Sequence, residues 1–327
     1  MPTMDFDLQV ARILKSIDES SEIHPANKRL IQKFHRDLLL DGINAARRQK
    51  LTSHLKIIAQ HLGEKRFDAL NREEITELVE WIHSRGSAPS TVSDYKQVVK
   101  QFYKWYNGGE EPETTKWIRR GPPTFRQILP RNLLSPDDVS RLIDACINDR
   151  DRAFIALLWE TGARIGELID LRVGDIEGDG SGKHVIVIGK TGARRLPLVE
   201  SRLYLEQWLQ THPSLSAQAP LWCKLEQGTP DEQISYNYIR LRLLERARKR
   251  AGIDKPVNPH HFRHSRATHL ANWLTEAQLC EWFGWVLGSK VPARYVHLSG
   301  RDIDNAYFAL FANRRFDHLP MSEPVER

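Results

Sequence analysis

The sequence predicts a mainly α-helical protein with a small β-sheet or hairpin, divided into two domains. Three observations carry that reading. Apolar residues in the first third recur at three-to-four spacing, the helical period. Residues 107–135 are rich in proline and glycine, which disfavours helix and marks a connector. Further on, two short apolar runs flank a glycine-bounded turn, the pattern of a hairpin. A length of 327 residues fits about two domains.

Leu30, Ile31, Phe34 and Leu38 predict a helix over about 27–41. Leu51, Leu55, Ile58 and Leu62 predict another over about 44–61, after a break at Asp41-Gly42-Ile43-Asn44. Asn71, followed by Glu73 and Glu74, reads as an N-cap with an acidic first turn, opening a helix through about Ser84. Ser87-Ala88-Pro89-Ser90-Thr91 opens a fourth helix, closed by Asn107-Gly108-Gly109. Its Tyr95, Phe102, Tyr103, Trp105 and Tyr106 read mainly as a core face. Lys96, Lys100 and Lys104 form a solvent face and a candidate phosphate-contact surface.

The connector holds Pro112, Gly121-Pro122-Pro123 and Leu129-Pro130, together with Lys116, Arg119, Arg120, Arg126 and Arg131. Its basic charge suits either a segment that follows a duplex or a merely solvated linker. The expected division is a helical domain over 1–115, a basic linker over 116–133 and a second domain over 134–327. Ser135 caps the first helix of that second domain, with Pro136 at its first position. A helix over 152–160 follows. Residues 183–189 and 195–199 read as two strands around Lys190-Thr191-Gly192-Ala193. Beyond 201 the pattern is helical, with a strongly basic helix over 234–251 that carries Arg240, Arg242, Arg246, Arg248, Lys249 and Arg250.

Composition narrows the class. Hydrophobic content of 40% supports ordinary cores, and a net charge of +6 with a pI near 9.2 favours a polyanionic partner. Cys146, Cys223 and Cys280 are odd in number and far apart, which implies neither a disulfide framework nor a Cys-x-x-Cys metal site and suits a reducing cytoplasm. No apolar run approaches the roughly 18 residues a membrane span needs, and the N-terminus does not read as a signal peptide.

The chemistry concentrates in a few short motifs. His260-His261-Phe262-Arg263-His264 sets an imidazole and a guanidinium about one helical turn apart. Arginine is a permanently charged fork that matches phosphate oxygens. Tyr295, in Ala293-Arg294-Tyr295-Val296-His297, is a possible covalent nucleophile, with His260 the candidate to take its proton. Thr161-Gly162-Ala163-Arg164-Ile165-Gly166-Glu167-Leu168 breaks one helix and starts the next with an arginine, a placement that makes sense if an anion binds there; a surface pair with Glu167 is the plainer reading. Lys190, at a turn tip, is either solvated or a proton donor to a leaving oxygen.

In this order, the motifs Thr-Gly-x-Arg-x-x-Glu-Leu, hairpin Gly-Lys, Pro-His-x-x-Arg-His, Gly-Trp and Tyr-Val-His resemble the tyrosine recombinase (phage integrase) family over about 134–300. The loop Gly288-Ser289-Lys290 and the run from Tyr295 to Gly300 look most like archaeal members. The resemblance implies a helical DNA core-binding domain ahead of a mixed, α-rich catalytic domain. It implies DNA cleavage and rejoining through a 3′-phosphotyrosine, with no metal or nucleotide cofactor, by an oligomer on double-stranded DNA in the cytoplasm, at the nucleoid. Carried over, Arg164 and Arg263 clamp the scissile phosphate, Lys190 is the hairpin acid and His260 the histidine of His-x-x-Arg. Trp285 stands where members have His or Trp, Tyr295 is the nucleophile, and Glu167 supports Arg164. Lys96, Lys100, Lys104, Arg120, Arg126, Arg131, Arg240 and Arg242 are DNA-contact candidates.

The chain departs from the pattern in places. Trp285 replaces the commoner histidine and cannot titrate. Its spacing to Tyr295 is one residue longer than in many members. Tyr307 is a rival nucleophile whose surroundings read as the apolar face of a helix, in a tail suited to docking on a neighbour or on its own domain. Three other readings compete: a type IB topoisomerase, a metal-dependent nuclease built on His260, His261, His264 and His269, and a non-catalytic DNA-binding protein.

Overall fold

The computed structural model describes residues 6–119 and 130–298, apart from 181, 215 and 227–231. Arg120, Arg126, Tyr307 and the tail beyond 298 lie outside the described residues. The chain divides into two compact units, Met4–Gln127 and Ile128–Arg327.

The N-terminal unit is helical: α1 (Phe6–Asp18), α2 (Pro25–Leu40), α3 (Ala45–Leu62), α4 (Arg72–Ser84), α5 (Pro89–Tyr106) and the single turn α6 (Glu113–Lys116). Asn71 caps α4 in a reciprocal capping box with Glu74, and Pro89 opens α5. The sequence reading of four helices omits α1, whose Val10 and Ile17 are buried at helical spacing. The core is aromatic at its centre. Phe34 meets Phe102 edge-on at 5.6 Å, and the Tyr103 hydroxyl donates to the Phe67 carbonyl at 2.9 Å.

The C-terminal unit begins with α7 (Pro136–Asp144), capped by Ser135 and Asp138. Next comes α8 (Asp149–Thr161), which is buried along nearly its whole surface and forms the central helix. A short α9 (Ile165–Ile169) leads to an antiparallel sheet, β1 (Ile176–Asp179), β2 (Gly182–Gly189) and β3 (Gly192–Leu198), in the order β1-β2-β3. The hairpin reading holds, with a tighter turn at Lys190-Thr191 and β3 starting at Gly192. Strand β1 was not legible because Ile-Glu-Gly-Asp has no alternating apolar pattern and is mostly exposed. Helix α10 (Arg202–Thr211) packs on α8.

The basic helix runs over α11 (Tyr236–Tyr238), a π-helical stretch Ile239–Leu244 and α12 (Glu245–Arg250). A uniform α-helix was expected. Ile239 and Leu244 are five apart and both fully buried, which the wider turn places on one side. Helices α13 (Pro259–Leu270), α14 (Glu276–Phe283) and α15 (Val291–Leu298) complete the unit. Glu160, at the end of α8, accepts the N–H groups of Val199, Glu200 and Ser201 at 2.7–2.9 Å and so fixes the exit of the hairpin. Among the described residues, no helix is long and apolar enough to cross a membrane.

Candidate active site

Four chain segments meet beside the end of α14. The first is the turn between α8 and α9. Gly162 caps α8 in the left-handed conformation (φ 54°), and a side chain there would strike Phe283 at 2.6 Å, so glycine is required on both counts. The turn sets Arg164 at the start of α9. Its Nη1 donates to Glu167 Oε1 at 2.9 Å and its Nη2 to the Gly284 carbonyl at 3.3 Å. The pair is not a surface pair: Glu167 is buried, while Arg164 keeps 37% of its side chain exposed.

The second segment is the hairpin. Lys190 is exposed at its tip, and the Thr191 hydroxyl donates to the same Gly284 carbonyl at 3.3 Å. Arg194 on β3 is buried and donates from Nη2 to Glu167 Oε2 at 2.7 Å. Glu167 therefore serves two arginines. Burial alone would raise its pKa, but the hydrogen bonds from Arg194 and from the Arg164 backbone and side chain outweigh that and hold it below the usual carboxylate range. The sequence analysis missed Arg194; an arginine on a two-stranded pattern gives no sign of facing inward.

The third segment is α13, capped by Asn258 with Pro259 at its first position. Arg263 is buried one turn in. Its Nη1 donates to the Gly162 carbonyl at 2.9 Å and its Nη2 to the Phe283 carbonyl at 2.6 Å. Its guanidinium lies over the Phe283 and Trp285 rings, 5.1 and 5.5 Å from their centroids. Burial first, and then the nearby Arg164 charge, push its pKa down to about 10, so it remains charged at neutral pH.

The fourth segment is α15. Tyr295 is buried, stacked nearly parallel on Trp285 at 5.1 Å, with its Oη 2.6 Å from His264 Nδ1. Burial raises its pKa, against the pull of Arg263 and Arg294. Burial, followed by the charges of His260, His261, Arg263 and Arg294, lowers His264 to about 4, so it is neutral at physiological pH. His260, the expected proton acceptor, is exposed on the first turn of α13; the structure brings His264 to the hydroxyl instead. Nothing short of the packed fold distinguishes these two histidines, since both follow helical spacing from α13. His261 is buried and contacts the Asn132 carbonyl, a structural role.

Two arginines, 99 positions apart, thus reach the adjacent carbonyls of residues 283 and 284, with an aromatic stack and a tyrosine beside them. Such an arrangement can hold an anion and offer it an oxygen nucleophile. No three His, Cys, Asp or Glu side chains gather to hold a metal ion among the described residues.

Residues 132–301 match the phage integrase family model. The chain belongs to the phage integrase family. Among its relatives, the tyrosine recombinase XerC of Shewanella amazonensis is 29% identical over 215 residues, 64% of this chain and 70% of that protein. XerC of Salmonella typhi is 25% identical over 276 residues, covering 83% and 84%. In fold, this integrase-family chain is similar to a lambda integrase dimer bound to a COC′ core site, with a TM-score of 0.66 at 17% identity, covering 84% of this chain and 78% of that one. It is similar also to the XerH site-specific recombinase bound to palindromic difH substrate, with a TM-score of 0.64 at 15% identity, covering 94% and 96%.

The DNA-contact candidates fall in different settings. Arg131, Arg240, Arg242 and Lys104 are exposed and Lys96 is half-buried. Lys100 is already engaged, 2.6 Å from Glu111 and donating to the Ile118 carbonyl at 3.1 Å, so it is a poorer phosphate contact than the sequence suggested.

Proposed function

We propose that this protein is a tyrosine site-specific recombinase that cuts and rejoins double-stranded DNA without metal or nucleotide cofactor. The observation that carries the reading is the convergence of Arg164, Arg263 and Tyr295 around the end of α14. Tyr295 passes its hydroxyl proton to the neutral His264, whose Nδ1 lies 2.6 Å away where His260 was expected, and attacks the scissile phosphorus; a Tyr Oη–P bond forms and the P–O5′ bond breaks. The product is a 3′-phosphotyrosine and a free 5′-hydroxyl. Arg164 and Arg263 neutralise the charge that grows on the non-bridging oxygens, the largest catalytic contribution expected at such a site. Lys190 protonates the leaving 5′-oxygen. The ester keeps the bond energy, so a 5′-hydroxyl can reverse the step and rejoin the strand. Glu167 orients Arg164, and Trp285 supplies a stacking wall for Tyr295.

In the same reading, residues 1–115 form the core-binding domain, 116–133 a basic linker and 134–327 the catalytic domain. Lys96, Lys104, Arg120, Arg126, Arg131, Arg240 and Arg242 meet the DNA backbone. The active form is a dimer or tetramer on DNA, as lambda integrase is in the similar structures of its dimer bound to a COC′ core site and its tetramer bound to a Holliday junction. The tail beyond 300 docks on a neighbour or on its own domain. The protein acts in the cytoplasm, at the nucleoid. The affinity with archaeal members rests on the Gly288-Ser289-Lys290 loop and the Tyr295 run; the two curated relatives named above are bacterial.

Incubation with DNA followed by denaturing electrophoresis tests the reading. A covalent adduct that forms in chelator, survives Tyr307→Phe and is lost in Tyr295→Phe is expected. Dependence on a divalent ion would favour the nuclease, and binding without any adduct would leave a DNA-binding protein. Relaxation of supercoiled DNA without exchange between paired sites would favour the topoisomerase.

A further inference from the structure

Arg164 is the weak point of the site as an organised device. More than a third of its side chain is exposed, so solvent leaves it free to leave its pose. Its partner Glu167 holds it by one oxygen and its backbone N–H by the other, at 2.9 Å each. What holds Glu167 is Arg194, whose Nη2 donates to Oε2 at 2.7 Å. Arg194 is caged. It sits on β3 opposite Val187, and its Nη1 lies between two glycines. A Cβ on Gly189 would come within 3.0 Å of that nitrogen and 2.3 Å of Glu167 Oε1; a Cβ on Gly284 would come within 2.4 Å of it. The guanidinium is therefore confined, and through the carboxylate it steadies Arg164, whose Nη2 has the Gly284 carbonyl at 3.3 Å as its other protein contact.

Two further facts set Arg194 apart from an ordinary buried ion pair. Its Nε and Nη1 are buried with no hydrogen-bond partner. One carboxylate also faces two guanidiniums, leaving an excess positive charge beside Arg263, whose own pKa is lowered by both Arg164 and Arg194. A purely structural pair gains nothing from idle donors and surplus charge, since an apolar pair of equal volume packs as well or better. A site waiting for a phosphodiester is served by the surplus charge, because it is offset only when the anion arrives.

We propose that Arg194 is a positioning residue for strand cleavage: acting through Glu167, it fixes the orientation of Arg164 against the scissile phosphate. The inference rests on the recombinase reading above and names a residue outside its clamp, acid and nucleophile. It predicts a loss in the rate of adduct formation on bound DNA, while DNA affinity, which many phosphate contacts share, changes little.

The test uses single-turnover adduct formation by the full-length protein on two duplexes. One has a phosphodiester at the linkage the wild-type protein cleaves. The other has a methylphosphonate there, in which a methyl group replaces one non-bridging oxygen and removes the charge that the clamp must neutralise. Arg194→Met is expected to slow adduct formation on the phosphodiester by roughly 10²-fold, the size of effect that misplacement by about 1 Å produces. On the methylphosphonate the loss should be at least about tenfold smaller, because the missing charge is no longer needed. The ratio of the two rates in one preparation cancels the fraction of protein that is folded. Arg194→Lys is read by the same ratio if the methionine variant gives no adduct with either duplex. A ratio equal to that of the wild type overturns the proposal and leaves Arg194 as a packing residue. Absence of any adduct with the wild-type protein overturns the recombinase reading instead.

Discussion

The two units differ in where they keep their charges. Among the described residues of the N-terminal unit, Arg48 is the only buried charged side chain, and the core is aromatic and aliphatic. The Lys50–Asp94 ion pair, for example, is open to solvent on both sides. The C-terminal unit buries Asp138, Arg150, Asp151, Glu160, Glu167, Arg194, Arg263 and Arg266. Buried charges are costly unless paired. A unit that only grips a polyanion needs none, because an exposed lysine meets a phosphate well enough. A unit that must stabilise a growing charge needs donors fixed in advance and shielded from water. In the proposed reading, the contrast marks where the chemistry takes place.

The largest effect expected follows from that contrast. Tyr295→Phe removes one oxygen from the stack on Trp285 and should abolish the covalent adduct, with DNA affinity near that of the wild type. An adduct remaining at the wild-type level would remove Tyr295 from its role. Next come the buried clamp arginine and its half-exposed partner. Arg263→Lys and Arg164→Lys keep a charge and lose the fork, and each should slow cleavage by about 10²–10³-fold in single-turnover assays.

Stability should divide along the same line. Glu160→Ala frees three backbone N–H groups at the hairpin exit; the buried one, of Ser201, is worth about 1–3 kcal/mol if left unpaired. Asp94→Ala breaks an exposed pair in the N-terminal unit and should cost under about 1 kcal/mol. Thermal denaturation that shows equal shifts for the two would erase the distinction between the units.

Acid should destabilise the C-terminal unit through His264. His264 is neutral in the folded protein down to about pH 4, whereas in the unfolded chain it takes a proton near 6.5. Its contribution to stability is therefore whole above about pH 6.5, declines as the pH falls towards 4, and changes no further below that. The full loss is about 3 kcal/mol at most. In denaturant titrations between pH 7 and 4, His264→Gln should flatten that decline; an unchanged slope would contradict the assignment. The smallest effects belong to the exposed cations. Arg242→Ala and Lys104→Ala should each lower the salt dependence of DNA binding by about one counterion, with no change in the cleavage rate of bound DNA.

Much of this molecule is local physics, and that part the sequence by itself determined. Asn71, Ser135 and Asn258 cap helices because a short polar side chain reaches its own backbone a turn ahead. Gly162 ends α8, and the turn at Lys190-Thr191 closes the hairpin, within a few residues of the pattern that announces them. The arginines, the lysine, the tyrosine and their order along the chain were legible for the same reason: they lie in short motifs. Helix α1, strand β1 and the π-helical stretch were not, because each depends on what packs against it. The site's internal connections were settled only by tertiary structure. That His264 rather than His260 meets Tyr295, that Glu167 is shared by two arginines, and that Arg194 turns inward are outcomes of contacts between residues 27 to 31 positions apart. Helical periodicity fixes neighbours three or four positions apart; which faces then meet depends on burial and charge summed over the whole unit.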